Sequence, residues 1–176
     1  RVSYDEMLEM SSLGAKVLQF RCVEFCKKHD MPLIVKSSLV DNSKGTLICK
    51  EDSSMEQPVV SGIMIDKNQA KITIKGVPDQ PGIASKFFTG LAEVDLSVDM
   101  IIQNVSDESH TDISFTVTNE DINKATKIVQ ELGKLIEARN INADPNICKV
   151  SIVGAGMRSH PGVAAKMFSA MSEENI

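Results

Sequence analysis

The sequence predicts an α+β protein organised around a ferredoxin-like βαββαβ unit, whose first strand and helix recur near the end of the chain. Segment 71–96 has the pattern of a strand, a tight loop and a helix, and segment 149–176 repeats that pattern. Pro81-Gly82 matches Pro161-Gly162, and this spacing of about 80 residues suits two copies of one small domain. The other matching residues are Lys71, Ile72, Ile74, Gly76, Ala84, Lys86, Phe88 and Glu93 in the first copy, and Lys149, Val150, Ile152, Gly154, Ala164, Lys166, Phe168 and Glu173 in the second.

Each element of the unit has its own signal. Ile72 and Ile74 alternate with polar residues, as in a strand that buries one face. Pro81-Gly82 begins a helix whose apolar residues recur at helical spacing. The predicted elements are strands at 59–66 and 70–75 joined by a turn at 67–69, a helix with the stripe Ile83, Phe87, Leu91 and Val94, strands at 96–105 and 111–118, a helix beginning near Asp121 with the stripe Ile122, Ala125, Val129, Leu132 and Ile136, and a turn at 144–146.

Residues 1–49 have the pattern of the end of an α/β domain. Ser3 and Glu6 have the spacing of a capping box, and helical periodicity continues through Gly14 to His29. Short apolar runs at 33–35 and 46–49 predict strands, separated by turn residues. We expect a piece of a longer protein, divided into the C-terminal tail of one domain at 1–49, a linker at 50–58, a complete βαββαβ domain at 59–147 and the truncated start of a second at 148–176.

Composition excludes several classes of function. A net charge of −5, no Trp and a single Tyr argue against a nucleic-acid partner. No apolar run is long enough to cross a membrane, and four cysteines without C-x-x-C spacing are typical of the reducing cytoplasm. The sequence contains no nucleophile–base pair and no set of metal ligands at a telling spacing, so we predict no catalytic residue, no metal site and no cofactor.

The loop at 76–82 is the strongest candidate for a binding site. It joins a strand to a helix start, where backbone N–H groups and the helix dipole favour a carboxylate, and Asp79 could face an ammonium group. Those are the two requirements for holding a free α-amino acid, and Gln103, Asn104 and Ser114 lie near enough in the predicted sheet to contribute. The alternative is that Pro-Asp-x-Pro-Gly forms only a rigid turn. Gly154-Ala155-Gly156 lacks the remaining spacing of a nucleotide-binding loop.

The residues around this loop resemble the aspartokinase family. The segments K-I-T-I-K-G-V-P-D-Q-P-G-I-A, V-D-M-I-I-Q-N-V-S and H-T-D-I-S-F-T-V are similar to the first ACT domain of that family. K-V-S-I-V-G-A-G-M-R-S-H-P-G-V-A-A-K-M-F is similar to the start of its second ACT domain. S-Y-D-E-M-L-E-M-S-S-L-G-A-K-V-L and P-L-I-V-K-S-S resemble the end of its amino-acid kinase domain. The similarity extends over nearly the whole chain, in the order that the family has.

The resemblance implies a parent enzyme that phosphorylates L-aspartate with MgATP to 4-phospho-L-aspartate, and a regulatory portion that binds L-lysine, L-threonine or both and thereby inhibits the kinase. It also implies a homo-oligomer, or a complex with a catalytic subunit, formed through ACT–ACT pairing. This fragment alone is not expected to catalyse the reaction. The effector-binding residues carried over are Asp79, Ile83, Ala84, Gln103, Asn104, Ser106 and Ser114, with Met157, Ser159, His160 and Pro161 in the second copy.

Lys16 matches a lysine that the family places near the nucleotide. Gln19-Phe20-Arg21 stands where the family has His or Asn, then Pro and Arg, which weakens the prediction of a nucleotide-binding remnant. Two alternatives to the regulatory portion of an aspartokinase are a stand-alone ACT amino-acid-binding or regulatory subunit, and a kinase joined to homoserine dehydrogenase. Residues 1–49 favour the kinase, because a pure sensor has no need of them.

Overall fold

The computed structural model describes residues 1–51, 60–107, 109–154, 160 and 162–176, with the backbone alone at 105–107. The contacts divide the chain into two compact units, residues 1–66 with 150–176, and residues 67–149. In chain order the elements are β1 (Val2–Ser3), α1 (Tyr4–Ser12), α2 (Phe20–Lys28), β2 (Leu33–Val35), β3 (Thr46–Cys49), β4 (Gly62–Pro78), α3 (Ile83–Ala92), β5 (Ile101–Asp107), β6 (His110–Val117), α4 (Ile122–Leu135), β7 (Asn140–Val153) and α5 (Val163–Glu173). No described helix is long and apolar enough to cross a membrane.

The unit at 67–149 has the predicted βαββαβ order. Its four strands lie in the order β5-β6-β4-β7, and β6 pairs antiparallel with both β4 and β5. One face of the sheet and both helices share a single core, which contains Ile72, Phe115, Phe87 and Val129, each 0–1% exposed. Since residues of α3 and of α4 lie in the same core, both helices cover the same face. The prediction of an α+β ferredoxin-like fold is therefore confirmed.

The predicted turns at 67–69 and 144–146 were wrong. β4 and β7 each continue through them as single strands of 17 and 14 residues. At 67–69 polar side chains take part in the fold, because Gln69 is buried and the side-chain amide of Asn68 donates to the Glu120 carboxylate over 2.9 Å. At 144–146 the Asp144 carboxylate accepts the N–H of Asn146 over 2.9 Å, a local turn-like bond that β7 tolerates.

The strand predicted at 96–105 begins later, at Ile101. Asp95 takes a left-handed conformation (φ 52°), and the N–H of Leu96 returns to the carbonyl oxygen of Leu91 over 3.1 Å. Leu96 therefore closes the end of α3 and is buried in the core instead of extending β5.

The other unit contains a three-stranded sheet in the order β1-β3-β2. Ser3 and Glu6 form the predicted capping box at the start of α1. The predicted helical run through Gly14 to His29 was wrong, because α1 ends at Ser12 and α2 begins only at Phe20. Gly14 has a φ of +107°, which a right-handed helix cannot contain.

Candidate functional site

A cleft of about 450 Å³ opens where β4 ends and α3 begins. Its walls come from the loop at 76–82, the first turn of α3 and the neighbouring strands β5 and β6. The lining residues are Val77, Pro78, Asp79, Gln80, Pro81, Gly82, Ile83, Ala84, Gln103, Thr111 and Ile113. The cleft combines an apolar floor with polar groups at its rim, the usual composition of a small-molecule site.

The path of the backbone into the cleft depends on a β-bulge in β4 between Ile74 and Val77. Gly76 lies in this bulge with a φ of +65°, and its N–H donates to the Asp112 carboxylate over 2.9 Å. A Cβ at position 76 would lie 2.4 Å from the side chain of Arg139, so only glycine fits. The bulge turns Val77 and Pro78 towards the cleft.

Backbone hydrogen bonds hold the loop in place. The N–H of Asp79 donates to the carbonyl oxygen of Ser109 over 2.8 Å, which ties the loop to the β5–β6 hairpin. The N–H of Gln80 donates to Pro78 over 2.9 Å. The side chains of Asp79 and Gln80 are exposed at the rim of the cleft. The loop thus presents a carboxylate to solvent on a fixed backbone.

The start of α3 supplies hydrogen-bond donors. Gly82 is the N-cap, with a φ of 92° and no side chain to occupy the helix end. The N–H of Ile83 makes a long bond of 3.3 Å to Gln80, and that of Lys86 makes the first intrahelical bond, to Gly82 over 3.0 Å. Helix geometry leaves the N–H groups of Ala84 and Ser85 without an intrahelical acceptor. The positive end of the helix dipole and these two donors favour an anion at this point.

Four of the residues predicted for the site line this cleft: Asp79, Ile83, Ala84 and Gln103. Asn104 and Ser114 lie on the other face of the sheet. Gln103 pairs with the buried Ile113. Asn104 pairs with Asp112, and Ser114 pairs with Thr73, so both lie one residue along their strands from the Gln103–Ile113 pair. Directly paired residues point to the same face, so Gln103 faces the cleft and its neighbour does not. The Ser114 hydroxyl lies 3.0 Å from that of Thr73.

The other residues predicted to belong to the site are either exposed or outside the described part of the chain. The side chain of Ser106 and the residues Met157, Ser159 and Pro161 lie outside the described part of the chain. His160 is exposed. Lys16 is an exposed residue of the turn between α1 and α2.

Sequence reasoning missed several residues that line the cleft. Thr111 and Ile113 belong to it because they lie on the same face of β6 as Phe115. The alternation along β6 gave the signal for Ile113, but the pairing with Gln103 follows only from the register of β5 on β6. The Thr111 hydroxyl donates to the backbone oxygen of Asn104 over 2.8 Å and so fixes the end of β5 beside the cleft.

The other unit has a smaller cleft of about 390 Å³, lined by Tyr4, Asp5, Lys27, Asp30, Lys50 and Glu51. Lys27 and Asp5 form an ion pair there. Burial, followed by the negative charge of Asp30, raises the pKa of Tyr4. The charges are mixed and mutually compensating, and within the described residues no group of His, Cys, Asp and Glu could hold a metal ion.

The comparisons with known proteins agree with the fold of this chain. The ACT domain family matches residues 72–132 and 150–176. An aspartate kinase of Stutzerimonas stutzeri is 47% identical over 176 residues, which are 100% of this chain and 43% of the relative. The chain therefore spans less than half the length of the curated relatives it matches.

Solved structures show the same relationship. The regulatory subunit of aspartate kinase from Thermus thermophilus is 41% identical, with a TM-score of 0.60 over 66% of this chain and 76% of that one. The aspartate kinase of Clostridium acetobutylicum is 28% identical, with a TM-score of 0.84 over 99% of this chain and 40% of that one. The chain belongs to the aspartokinase family and carries its regulatory ACT portion.

Proposed function

We propose that the cleft at the start of α3 binds a free L-amino acid, L-lysine or L-threonine, as a feedback effector. The observation that carries this proposal is that one cleft has both hydrogen-bond donors for a carboxylate and a carboxylate for an ammonium group. The N–H groups of Ala84 and Ser85 suit the α-carboxylate of an amino acid. The Asp79 carboxylate at the rim suits an ammonium group.

The lining supports a small ligand with an aliphatic portion. Val77, Ile83 and Ile113 offer apolar contact, while Gln103 offers an amide that can both donate and accept hydrogen bonds. The two candidate effectors use these groups differently. The ammonium group on the L-lysine side chain would compete for Asp79, whereas the L-threonine hydroxyl would suit Gln103.

We further propose that the whole protein is an aspartate kinase, with MgATP and L-aspartate as substrates, and that residues 1–49 are the tail of its catalytic domain. The domain boundaries proposed are 1–49, 50–58, 59–147 and 148–176. The match of the S. stutzeri enzyme over 100% of this chain supports the proposal, because it includes the first 49 residues. The effector would act by favouring an arrangement in which the kinase is less active.

A separate regulatory subunit is the second candidate. It is favoured by the likeness to the regulatory subunit of T. thermophilus, of which this chain covers 76%. That likeness extends over only 66% of this chain. In either case the exposed edge strand β5, with Ile101 50% exposed, suits pairing with another ACT unit in an oligomer.

Two neighbouring residues provide a sharp test of the site. Gln103→Ala removes an amide that lines the cleft, and Asn104→Ala removes one from the opposite face of the same strand. We expect Gln103→Ala to weaken binding of L-lysine or L-threonine about tenfold, the loss of one hydrogen bond of roughly 1–1.5 kcal/mol. Asn104→Ala should bind as the unchanged protein does. Isothermal calorimetry measures both.

The opposite result would assign the effector site to another surface of the sheet. If Asn104→Ala abolished binding and Gln103→Ala did not, the effector would lie on the open face of the sheet, and the cleft would be only a rigid turn. Thermal unfolding of both variants without effector controls for a change in fold.

A further inference from the structure

Asp112 lies opposite the β-bulge that leads into the cleft at the start of α3. Between Ile74 and Val77 the register shifts, so that two residues of β4 face the single residue Asp112 of β6. A bulge of this kind leaves its extra residue without the usual ladder partner. The N–H of Gly76, the second of the two residues, donates to the Asp112 carboxylate over 2.9 Å. The Asp112 side chain therefore replaces the backbone oxygen that an unbroken ladder would supply.

Asp112 and its neighbour Thr111 hold the two walls of the cleft. The Thr111 hydroxyl donates to a backbone oxygen of β5 over 2.8 Å, and so anchors the strand that carries Gln103. Asp112 anchors the other wall, because Val77, the first lining residue of the loop, directly follows Gly76. Two consecutive residues of β6 thus fix the position of the loop relative to Gln103.

The register of the bulge decides whether Val77 belongs to the cleft. Val77 is 0% exposed and contributes to the apolar floor. Because side chains alternate along a strand, a slip of one residue at the bulge would turn Val77 to the opposite face of the sheet. The hydrogen bond from Gly76 to Asp112 opposes this slip, since it is made only where the two residues of β4 face Asp112.

We propose that Asp112 is a positioning residue of the effector site, which sets the affinity for the amino acid through the Gly76 bulge and does not itself contact the effector. The described lining of the cleft includes neither Asp112 nor Gly76. Asp112 pairs with Asn104, on the face of the sheet opposite to the cleft. This inference rests on the proposed function, since it takes the amino acid as the ligand of the cleft.

Three substitutions of Asp112, in the full-length protein, separate the hydrogen bond from the charge. Asp112→Ala removes both. Asp112→Asn keeps an acceptor oxygen in the same place without the charge, whereas Asp112→Glu keeps the charge and moves the acceptor by one methylene group. Thr73→Ala is the matched control, because it removes a part-buried hydrogen bond of 3.0 Å to Ser114 in the same sheet and leaves the bulge as it is.

Three quantities are measured for each protein: the dissociation constants of L-lysine and L-threonine by calorimetry, hydrogen exchange at the Gly76 amide without effector, and the melting temperature. We expect Asp112→Ala and Asp112→Glu to bind about tenfold more weakly, and to exchange the Gly76 amide about tenfold faster, as expected for the loss of one hydrogen bond. Asp112→Asn should return both quantities to within about threefold of the unchanged protein. Thr73→Ala should bind as the unchanged protein does, even where its melting temperature falls.

Unchanged affinity in Asp112→Ala would overturn the positioning role. An equal loss of affinity in Thr73→Ala would also overturn it, because affinity would then follow the stability of the sheet and not the bulge. Should Asp112→Ala not fold, Asp112→Glu and Asp112→Asn decide, and equal affinities in these two would overturn the role. An unchanged protein that binds neither amino acid would overturn the proposed function. That failure is read on the unchanged protein, whereas the failure of the positioning role is read on its variants.

Discussion

The helices α3 and α5 of the two repeats begin in the same way but differ in burial. Gly82 and Gly162 are both left-handed N-caps, with φ values of 92° and 103°, and each accepts an N–H from four residues on over 3.0 Å. The helices that follow differ, since α3 buries Phe87 and Leu91 whereas α5 buries none of its described residues. The N-cap glycine therefore starts the helix in the same way in both repeats, but burial of the helix depends on strands that are distant in sequence.

The largest difference between the repeats should appear when their helices lose an aromatic ring. Phe87 is 0% exposed and lies 5.8 Å from Phe115, measured between ring centroids, whereas Phe168 is 65% exposed. We expect Phe87→Ala to lower the free energy of unfolding by about 3–5 kcal/mol, and Phe168→Ala to lower it by less than about 0.5 kcal/mol. Chemical denaturation monitored by circular dichroism measures both changes. Equal losses would mean that α5 is packed as α3 is.

Gly82 and Gly162 test the feature that the two repeats share, a left-handed glycine at the N-cap of the helix. Among the described residues, a Cβ at either Gly82 or Gly162 would meet no atom within 4 Å, so alanine adds the strain of a left-handed conformation. We expect Gly82→Ala and Gly162→Ala each to cost about 1–2 kcal/mol. Different costs at the two positions, in the same denaturation experiment, would show that the two N-caps are not equivalent.

The sequence predicted this local equivalence and the core of α3, because Pro-Gly and apolar spacing are read within a few residues. It did not predict the length of β4 and β7. Lys67-Asn68-Gln69 is a good turn in isolation, and hydrogen bonds with the distant Asn119 and Glu120 hold it within a strand. For the cleft, Asp79 and Gln103 were found, but the position of Asn104 on the other face follows from the register of β5 on β6. Register is a long-range property that one strand alone does not reveal.

The start of α1 sharpens the comparison, because this helix is capped by a side chain and α3 and α5 are not. Ser3→Ala removes the hydroxyl that caps α1 and should cost about 1 kcal/mol. Urea unfolding provides the measurement, and Ser12→Ala, at the exposed end of the same helix, provides the control. A cost no greater than that of Ser12→Ala would show that the capping box contributes nothing.

The smallest effect is the pH dependence of the same cap. The folded pKa of Glu6 lies below its ordinary value of 4.5, so its contribution to stability is complete above that value and is lost as the pH falls through the folded pKa. Glu6→Gln should therefore flatten the decline of the melting temperature below about pH 4.5. Parallel curves for the two proteins over that range would contradict the role given to the carboxylate.

Binding of an amino acid at the first of the two loops is tested most directly by a thermal melt. The unchanged protein, Asp79→Asn and the control Glu131→Gln, an exposed charge on α4, are melted with millimolar L-lysine, L-threonine and D-lysine. At about 100 times its dissociation constant the effector should add roughly 2.7 kcal/mol of stability. We expect a shift with an L-amino acid in the unchanged protein and in Glu131→Gln, and a reduced one in Asp79→Asn. A cooperative melt that neither L-amino acid shifts, or an equal shift in all three proteins, would contradict binding at this loop.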